Sequence, residues 1–407
     1  MSEFSFARTP PASREMSCKA AIVGIGETDY HDDYKAQRAR APGYQAPEVE
    51  ELATRAFERA IADAGIDRKD IDGLACSFTY GGPPPDAMAN LLGLSPRYSI
   101  ANGNIMAGPL PAVCAAIAEG KADTVAMVYS VASRAIGREY GGATYGSGEG
   151  APTSYYYYHP WGWSSQAAHW AMMFNYFANR YGATERDLGA VAKQVRDHAA
   201  LNPNAVMQKP ITIDDYMASR YIVRPFHLFD LCLVNDGAVC LIVTKDDIAK
   251  AMDNVPVHVA GWGESRVTKS KLQAMVKERL RLQMEDSAQQ MFGMAGMTLA
   301  DVQHFGCYDA STMHLVNQVE GFGFTPPGTG FDFCKDGQMG IDGRMPTNTD
   351  GGNLSGSYMH GWSQVVEAVR QLRGEAGPRQ VRDARVAMTS LVQTDQSHPI
   401  LYVRGDA

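Results

Sequence analysis

The seven cysteines are the side chains of this sequence that could most readily serve as nucleophiles, metal ligands or disulfide partners. They are odd in number, scattered along the chain, and form no Cys-X-X-Cys pair. This spacing argues against a zinc ribbon or another metal site and against a secreted disulfide framework. It is typical of free thiols in a reducing cytoplasm. The seven are Cys18, Cys76, Cys114, Cys232, Cys240, Cys307 and Cys334.

Motifs for binding nucleotides or nucleic acids are missing from the sequence. There is no Walker loop, and Gly24–Asp29 (GIGETD) lacks the third glycine of a dinucleotide fingerprint. The formal net charge is −8, from 37 basic and 45 acidic residues. An acidic chain of this kind is not expected to bind nucleic acid through a general basic field.

The length and composition are those of a globular protein. A chain of 407 residues, 45% hydrophobic and 20% charged, is long enough for two or three domains. No apolar run approaches the roughly 18 residues of a membrane-spanning helix, so no membrane association is expected. Residues 1–18 lack the apolar core of a signal peptide and are predicted to be a disordered lead. Together these features predict a cytoplasmic protein.

Strand and helix patterns alternate along most of the chain. Lys19–Gly24, Asp72–Phe78 and Thr124–Tyr129 are short apolar runs of the kind found in buried strands. Pro47–Ala64 has apolar residues at helical spacing and acidic residues in its first turn, where they favour the positive end of the helix dipole. The polar residues 29–45 are predicted to form a loop. This alternation predicts a mostly parallel sheet covered by helices on both faces.

Residues 134–225 interrupt the alternation. This stretch contains the aromatic run Tyr155–Tyr158, followed directly by His159–Trp163 (HPWGW), and then helical segments. We predict an inserted region that caps the sheet. Its aromatic residues either shape an apolar pocket or cover a neighbouring subunit, and the sequence does not separate the two.

The second half of the chain repeats the first. Ala64–Cys76 (AGIDRKDIDGLAC) aligns with Ala295–Cys307 (AGMTLADVQHFGC) at an offset of 231 residues, 295 minus 64. Gly103–Gly120 aligns with Gly356–Arg373 at an offset of 253, 356 minus 103. Both pairs occur in the same order, so the repeat predicts two related α/β units.

The repeat and the inserted region together resemble the thiolase superfamily, in its sterol-carrier-protein-type branch. The likeness runs from about Lys19 to Arg404. It is carried by AAIVGIGETDY, AIAEGKADTVAMVYS, RPFHLFDLCLVNDGAVCLIVT and TDGGNLSGSYMHG. The resemblance implies a duplicated thiolase fold of the α/β class, with two βαβαβαββ halves in five layers, α/β/α/β/α. The predicted units are a lead (1–18), an N-terminal half (19–133 and 226–255), an inserted loop domain (134–225) and a C-terminal half (256–407).

The catalytic residues that this resemblance leads one to expect are missing. Thiolases use a cysteine nucleophile at the start of a helix, where the helix N-terminus lowers the thiol pKa. The matching position is Ile105, and an isobutyl group cannot form a thioester. Tyr358 matches the histidine of the family's Gly-His-Pro element, and Cys307 or Tyr308 matches a second histidine. The late catalytic loop is replaced by Gln393–His398 (QTDQSH). Covalent acyl transfer is therefore not expected.

Two tyrosines remain as candidates for the chemistry. In the thiolase topology, Tyr308 and Tyr358 would point into one pocket. The same tyrosine–aspartate pair and turn tyrosine occur in the thiolase-like aldolases of bacterial steroid side-chain degradation. The resemblance thus implies retro-aldol cleavage of a β-hydroxyacyl-CoA to a ketone and a short acyl-CoA, with the two phenols as acid and base. A phenol has an ordinary pKa of about 10, so the base needs neighbours that lower it. The sequence leaves open which tyrosine is the base.

Other residues of these motifs are predicted to bind the substrate. Asp309 either orients the tyrosine before it or caps the following helix. His360 either shares the pocket or faces away from it. The N–H groups of Gly351, Gly352 and Gly356 are expected to stabilise the enolate. The predicted substrate-binding residues are Asp309, His360, Gly352, Ser355, Gly356 and Ile105. The plain alternative for each tyrosine is a core residue with a satisfied hydroxyl group.

The resemblance also implies partners. The substrate is expected as a CoA thioester, with no tightly bound cofactor, and a homodimer is expected because thiolase folds are usually dimers. The aldolase members work with a small protein of OB-like fold that carries a zinc ribbon and supplies part of the acyl-CoA site. Since this chain has no zinc ribbon of its own, such a partner is expected here.

Two other functions stay open at this point. One is a thiolase or Claisen-type acyltransferase whose nucleophile lies elsewhere in the chain. The other is a non-catalytic thiolase-like subunit that binds acyl-CoA or a lipid.

Overall fold

A computed structural model describes residues 7–8, 13–77, 82–101, 109–135, 159–161, 163, 165–266, 277–393 and 396–406. The strands in these residues are β1 (Ala7–Arg8), β2 (Ala20–Glu27), β3 (Gly73–Ser77), β4 (Tyr98–Ala101), β5 (Thr124–Val131), β6 (Tyr221–Val223), β7 (Phe226–His227), β8 (Gly237–Lys245), β9 (Val257–Trp262), β10 (Ser265–Arg266), β11 (His304–Cys307), β12 (Val386–Val392) and β13 (Gln396–Arg404). The α-helices are α1 (Tyr30–Ala39), α2 (Val49–Ala64), α3 (Pro85–Leu92), α4 (Pro109–Ala118), α5 (Gln166–Tyr181), α6 (Glu185–Ala200), α7 (Ile213–Ala218), α8 (Asp246–Ala249), α9 (Lys277–Ala295), α10 (Thr312–Gly321), α11 (Gly330–Lys335) and α12 (Trp362–Arg373).

Eleven of these strands form one mixed sheet, and β6 and β7 form a separate ribbon. The first half of the sheet has the order β4-β3-β5-β8-β2, and the second half continues as β9-β13-β12-β11. The halves are joined by a short antiparallel contact between β2 and β9, at Ala21↔His258 and Ile22↔Val257. β11 pairs parallel to β12, as β3 does to β5. The predicted α/β class is confirmed.

Helices cover both faces of each half-sheet. Along β5, Val125, Met127 and Tyr129 enter a core shared with α4 and α12, whereas Ala126 and Val128 enter a second core beneath α2. In the other half of the sheet, β12 and β13 divide their side chains between the α12 core and a third core with α9 and α10. The layers are therefore α2, half-sheet, α4 with α12, half-sheet, α9 with α10. Burial on both faces is the reason that these strands are continuously apolar in the sequence.

The repeat detected in the sequence has the same local structure in both halves. α2 ends at Ala64 and α9 ends at Ala295, and each is followed by a left-handed glycine, Gly65 or Gly296. Next comes a 3-10 turn closed by a capping box, at Asp67–Asp70 in the first half and Thr298–Asp301 in the second. A strand then follows. α4 and α12 begin at positions 109 and 362, the predicted offset of 253 residues.

The inserted region packs against the second half of the sheet domain. α5 contributes Trp170, Phe174 and Phe177 to the core formed with α10 and α11. α6 packs against the turn that contains Gly352–Gly356. The aromatic run Tyr155–Tyr158 lies outside the described residues. Within those that are described, the insertion forms part of the protein's own core.

Two segments differ from the sequence predictions. Residues 30–39 form α1 and not a loop, and only Tyr30 and Gln37 of this helix are buried. A helix with so few buried side chains has no apolar periodicity to detect. In the predicted lead, Arg14–Met16 form a 3-10 turn, and the Cys18 N–H donates to the Val259 carbonyl at 3.0 Å. The chain therefore joins the sheet domain before residue 19.

Candidate active site

The two candidate tyrosines meet at their hydroxyl groups. Tyr308 directly follows β11, where its N–H donates to the Ser390 carbonyl of β12 at 2.9 Å. Tyr358 follows the glycine-rich turn, and its N–H donates to Asn235 Oδ1 at 2.8 Å. The phenolic oxygens lie 2.6 Å apart, a normal hydrogen-bond distance between two hydroxyl groups. The structure thus brings together two residues that are 50 positions apart in the sequence.

The two phenols differ in exposure. Tyr308 is 5% exposed and packs with Ala310 and Leu391. Tyr358 is only partly buried and lies against the edge of this small cluster. Tyr358 is therefore the more exposed member of the pair.

Asp309 connects the two tyrosines through the backbone. Its carboxylate accepts the N–H of Asn353 at 2.7 Å and the N–H of Leu354 at 3.4 Å. The helix that follows is capped by Ser311, so the alternative of Asp309 as the helix cap is wrong. Burial raises the pKa of the Asp309 carboxyl well above its ordinary value, and the Asn353 N–H acts in the opposite direction. Asp309 thereby holds the turn that leads to Tyr358.

The turn at Gly352–Gly356 is a single π-helical turn. Gly352 has a φ of +53°, and a Cβ placed there would lie 2.3 Å from Asp309 Oδ2. Only glycine therefore allows the carboxylate of Asp309 to approach the turn so closely.

The π-helical turn is also tied to the inserted region. Arg196 of α6 donates from Nε to Ser355 Oγ at 2.9 Å, and its guanidinium lies over the Phe229 ring. The N–H groups of Val206 and Met207 donate to the carbonyls of Gly356 and Ser355. Ser355 and Gly356 therefore anchor the turn in this structure.

The glycine N–H groups expected to stabilise an enolate already have acceptors. Gly351 donates to the Asn348 carbonyl at 3.0 Å, and Gly356 donates to the Gly351 carbonyl at 2.8 Å. Gly352 donates to Asp350 Oδ1 at 2.9 Å. The π-helical turn uses these donors for its own closure, so they are not available to a ligand in this structure. The sequence shows the glycines but not where their N–H groups point.

His360 shares the neighbourhood of Tyr358. It is buried, and its ring centroid lies 4.3 Å from that of Tyr358. Its φ of +49° is uncommon for a residue with a Cβ. Its Nδ1 lies 2.5 Å from the hydroxyl oxygen of Tyr129, at the end of β5. Of the two alternatives for His360, the structure places it beside the tyrosine pair.

His314 lies on the other side of the pair. Its ring meets Tyr308 edge-on at 5.7 Å and stacks on Trp170 of the inserted region at 4.0 Å. Burial lowers the pKa of His314 to about 3, against a smaller opposite effect of the Val392 backbone. The imidazole is therefore neutral at physiological pH, and Tyr308 packs against an uncharged ring.

A network of buried charged side chains lies next to the turn. Arg379 donates to Glu367 at 3.0 Å, and Thr349 donates to the same carboxylate at 2.7 Å. Burial would raise the pKa of Glu367, but the Arg379 guanidinium holds it below its ordinary value. Burial, reinforced by Glu367, raises the pKa of Asp350 to about 7. Buried networks of ion pairs and hydrogen bonds make the backbone around them more rigid.

The cysteines of the described residues are not activated. Burial raises the pKa of Cys114 and of Cys232 to about 12, and raises that of Cys307 well above its ordinary value. A thiol with a raised pKa is a poor nucleophile at neutral pH. Ile105, which the resemblance aligned with the thiolase nucleophile, lies outside the described residues.

Three residues near the tyrosines were missed in the sequence: Tyr129, Asn235 and Arg196. Tyr129 is the last aromatic residue of an apolar strand, which gives no signal beyond burial. Asn235 lies in the stretch FDLCLVNDG, which was noted only for its likeness to the family. Arg196 looks like a solvent-exposed helix residue, but only 6% of it is exposed.

The part of the chain that the structure describes contains no candidate metal cluster and no candidate membrane span. It holds no group of three or more His, Cys, Asp or Glu side chains that could bind a metal ion. No helix of this part is both long and apolar enough to cross a membrane.

Comparison with known proteins agrees with the fold. A family model described as thiolase C-terminal domain-like matches residues 263–397. The 17-hydroxy-3-oxo-4-pregnene-20-carboxyl-CoA lyase of Mycobacterium tuberculosis is 34% identical over 373 residues, covering 88% of this chain and 92% of that protein. The steroid side-chain-cleaving aldolase of Thermomonospora curvata is 32% identical over 374 residues, covering 87% of this chain and 90% of that protein.

The solved structures include a similar protein. One described as Ltp2-ChsH2(DUF35) aldolase superposes with a TM-score of 0.83 at 27% identity, covering 96% of this chain and 99% of the other. The predicted thiolase-type fold is thereby confirmed. The chain belongs to the thiolase superfamily and, within it, to the thiolase-like steroid aldolases, which are carbon–carbon lyases.

Proposed function

We propose that this protein cleaves the β-hydroxyacyl-CoA side chain of a steroid by a retro-aldol reaction, giving a ketone and a short acyl-CoA. The observation that carries the proposal is the contact between the hydroxyl groups of Tyr308 and Tyr358, 2.6 Å apart, with one phenol buried and the other partly exposed. The names of the two relatives, a CoA-ester lyase and a side-chain-cleaving aldolase, support the substrate class.

The first step is removal of the proton from the β-hydroxyl group. One tyrosine, present as a phenolate, takes this proton. Before the transfer, the other phenol donates a hydrogen bond to this phenolate. Charge-assisted hydrogen bonds of this type stabilise an anion more strongly than neutral ones. Because Tyr358 is the more exposed of the two, we assign the contact with substrate to Tyr358 and the supporting role to Tyr308.

Cleavage then moves electrons from the Cα–Cβ bond to the thioester. The β-carbon leaves as a ketone, and the acyl-CoA fragment becomes an enolate. A proton from the phenol pair passes to Cα, giving the short acyl-CoA and restoring the phenolate. The glycine N–H groups are engaged within their turn, so a phenol O–H is the donor that we assign to the enolate oxygen.

The protein is proposed to act with partners. The name of the similar solved structure joins two components, Ltp2 and ChsH2(DUF35). We propose that this chain likewise works with a small OB-fold protein carrying a zinc ribbon, and that the aldolase chain itself forms a homodimer. The reaction would take place without a tightly bound cofactor.

The proposal is tested by turnover of a steroid β-hydroxyacyl-CoA, with and without the co-expressed partner. Ketone and short acyl-CoA should form in equal amounts. Tyr308→Phe and Tyr358→Phe should each lower kcat by about 10²- to 10⁴-fold, the usual contribution of general acid–base catalysis. Tyr402→Phe is the matched control, because Tyr402 is also a buried tyrosine and its hydroxyl bonds Thr389 of β12 at 2.9 Å. It should retain wild-type turnover.

Two outcomes would contradict the proposal. An acyl-enzyme detected by mass spectrometry during turnover would indicate acyl transfer through a nucleophile. Binding of the acyl-CoA without turnover, even with the partner present, would indicate a binding subunit.

A further inference from the structure

The phenol pair belongs to a longer row of aromatic side chains. Tyr129 Oη lies 2.5 Å from His360 Nδ1. The His360 ring lies 4.3 Å from the Tyr358 ring, and Tyr358 reaches Tyr308 at 2.6 Å. The contacts therefore run from Tyr129 through His360 and Tyr358 to Tyr308. The proposed reaction uses only the last two.

Tyr129 is rigidly placed at the start of this row. It lies near the end of β5, in the first half of the sheet, and is 1% exposed. Its ring stacks on Trp362 at 5.7 Å with an angle of 16° between the planes. A side chain fixed by a central strand and by a stacked indole has little freedom to move. It can therefore act as a fixed point for a residue on a turn.

His360 needs such a fixed point. Its backbone is in the left-handed region, at φ +49°, which costs free energy for any residue with a Cβ. Strained conformations of this kind persist only where surrounding contacts hold them. The Tyr129 hydroxyl is such a contact, and it comes from the opposite half of the molecule.

Resting on the proposed function, we infer that Tyr129 is a positioning residue for the reaction. Its hydroxyl holds the His360 imidazole against the Tyr358 ring, and His360 in turn holds Tyr358 in register with Tyr308. Each half of the sheet then supplies one phenol to the same turn. Tyr129 acts through His360 and needs no contact with the substrate.

The hydrogen bond suits a positioning role because it survives a change in the charge of His360. In the neutral imidazole protonated on Nε2, Nδ1 accepts from the Tyr129 hydroxyl. In the imidazolium, the Nδ1–H donates to the same oxygen. The titratable groups that the structure describes against this imidazole are Tyr129 on β5 and Tyr358 on its own turn.

Simple core packing would not require the hydroxyl group. The neighbouring inward residues of β5, Val125 and Met127, are apolar. A phenylalanine would fill the same space and keep the stacking on Trp362. A buried hydroxyl carries a desolvation cost that its hydrogen bond has to offset. The bond to His360 is therefore the feature to remove in a test.

The test is a double-mutant cycle in the retro-aldol assay with the partner present. Tyr129→Phe should lower kcat by about 10- to 100-fold, with KM within about twofold, since a small misplacement of a reacting group costs this much. His360→Asn tolerates the left-handed backbone but removes the ring that contacts Tyr358. If Tyr129 acts through His360, then Tyr129→Phe should cause no further loss in the His360→Asn background.

Several results would overturn the inference. They are an unchanged kcat in Tyr129→Phe, a loss shared equally by the control Tyr402→Phe, or independent and additive effects of the two substitutions. Absence of turnover in the wild type would sink the proposed function as well, whereas turnover with an unaffected Tyr129→Phe sinks this inference alone.

A spectroscopic measurement tests the contact without activity. In protein labelled with ¹⁵N-histidine, the His360 signal is assigned from its loss in His360→Asn. Its Nδ1 chemical shift should move in Tyr129→Phe and stay constant in Tyr402→Phe. If the Nδ1 chemical shift is the same in the wild type, Tyr129→Phe and Tyr402→Phe, then Tyr129 does not hold His360.

Discussion

The two halves of the sheet end differently at equivalent positions. By the 231-residue offset, Ser77 at the end of β3 corresponds to Tyr308, which directly follows β11. In the neighbouring strands, the register places Tyr129 of β5 where β12 has Leu391. Besides Tyr358 on the turn, each half of the sheet thus provides one phenol near the site, Tyr129 from β5 and Tyr308 from the end of β11. The two halves therefore share a framework but carry different side chains at equivalent positions.

The difference also separates their roles. Tyr308 contacts Tyr358 directly, whereas Tyr129 reaches it only through His360. The second half therefore supplies the reacting pair, and the first half supplies its support. This division is what the following substitutions examine.

The largest effect is expected from the reacting pair itself. Tyr308→Phe and Tyr358→Phe should each lower kcat by about 10²- to 10⁴-fold, and more than Tyr129→Phe does. Their combination should be hardly worse than either alone, because the two phenols act as a unit. Single-turnover rates of Tyr308→Phe, Tyr358→Phe, the double variant and Tyr129→Phe check this ranking. Equal losses in Tyr308→Phe and Tyr129→Phe would remove the distinction between the halves.

Gly352→Ala should have the next largest effect. A methyl group at this position meets Asp309 Oδ2 at 2.3 Å and Asn348 Nδ2 at 2.6 Å, at a φ of +53°. The turn must shift and carry Tyr358 with it, at a cost to stability of about 1 to 3 kcal/mol. The free energy of unfolding, measured with denaturant, and kcat should both fall. Gly374→Ala is the control, since its φ is +81° but its Cβ meets no other atom within 4 Å. If both variants behave alike, the close approach of Asp309 is irrelevant.

The lowered pKa of His314 predicts that the stability of the fold depends on pH. Its pKa is about 3 in the folded chain and about 6.5 when unfolded, so between these values the unfolded chain binds one more proton. The contribution of His314 to the free energy of unfolding is therefore fully present above pH 6.5. It falls by about 1.4 kcal/mol for each unit of pH between this value and the folded-state pKa. His314→Phe keeps a ring against Trp170 and removes this titration. Denaturant unfolding between pH 4 and 6.5 should show a shallower slope in the variant, and an unchanged slope would contradict the assignment.

The smallest effect is expected at the link to the inserted region. Arg196→Met can keep the contact with Phe229 but loses the hydrogen bonds to Ser355 and to the Lys209 carbonyl. A hydrogen bond with one charged partner is worth about 1.5 to 3 kcal/mol. Because Val206 and Met207 still hold the turn, kcat should fall only a few-fold. Arg186→Met on the exposed face of the same helix is the control and should leave kcat unchanged. A loss as large as that of Tyr308→Phe would mean that the insertion, and not the second half, sets the geometry of the pair.

Much of the framework could be predicted from the sequence. The doubly buried strands are continuously apolar, and the repeated Ala-Gly helix ends are followed by capping residues at fixed spacing. Such local patterns determine the elements and their order. α1 escaped prediction because its burial is confined to two side chains.

The candidate site could be predicted only in part. Tyr308, Tyr358, Asp309 and His360 were selected by their place in the motifs, and the structure brings them together. The N–H groups of the glycine-rich turn were expected to stabilise the enolate, but in this structure they donate to acceptors next to or within the turn. Tyr129 and Arg196 were missed, because each lies in a segment whose pattern indicates only a strand or a helix.

By itself, the sequence determined the α/β class and the duplication, and it has an isoleucine at position 105, which the resemblance aligns with the thiolase nucleophile. Only the tertiary structure decided which polar groups face one another. A hydrogen bond depends on distances of tenths of an ångström between atoms that are 50 to 231 positions apart in the chain. Periodicity reports which face of an element is buried, but it carries no information on which buried hydroxyl meets which partner.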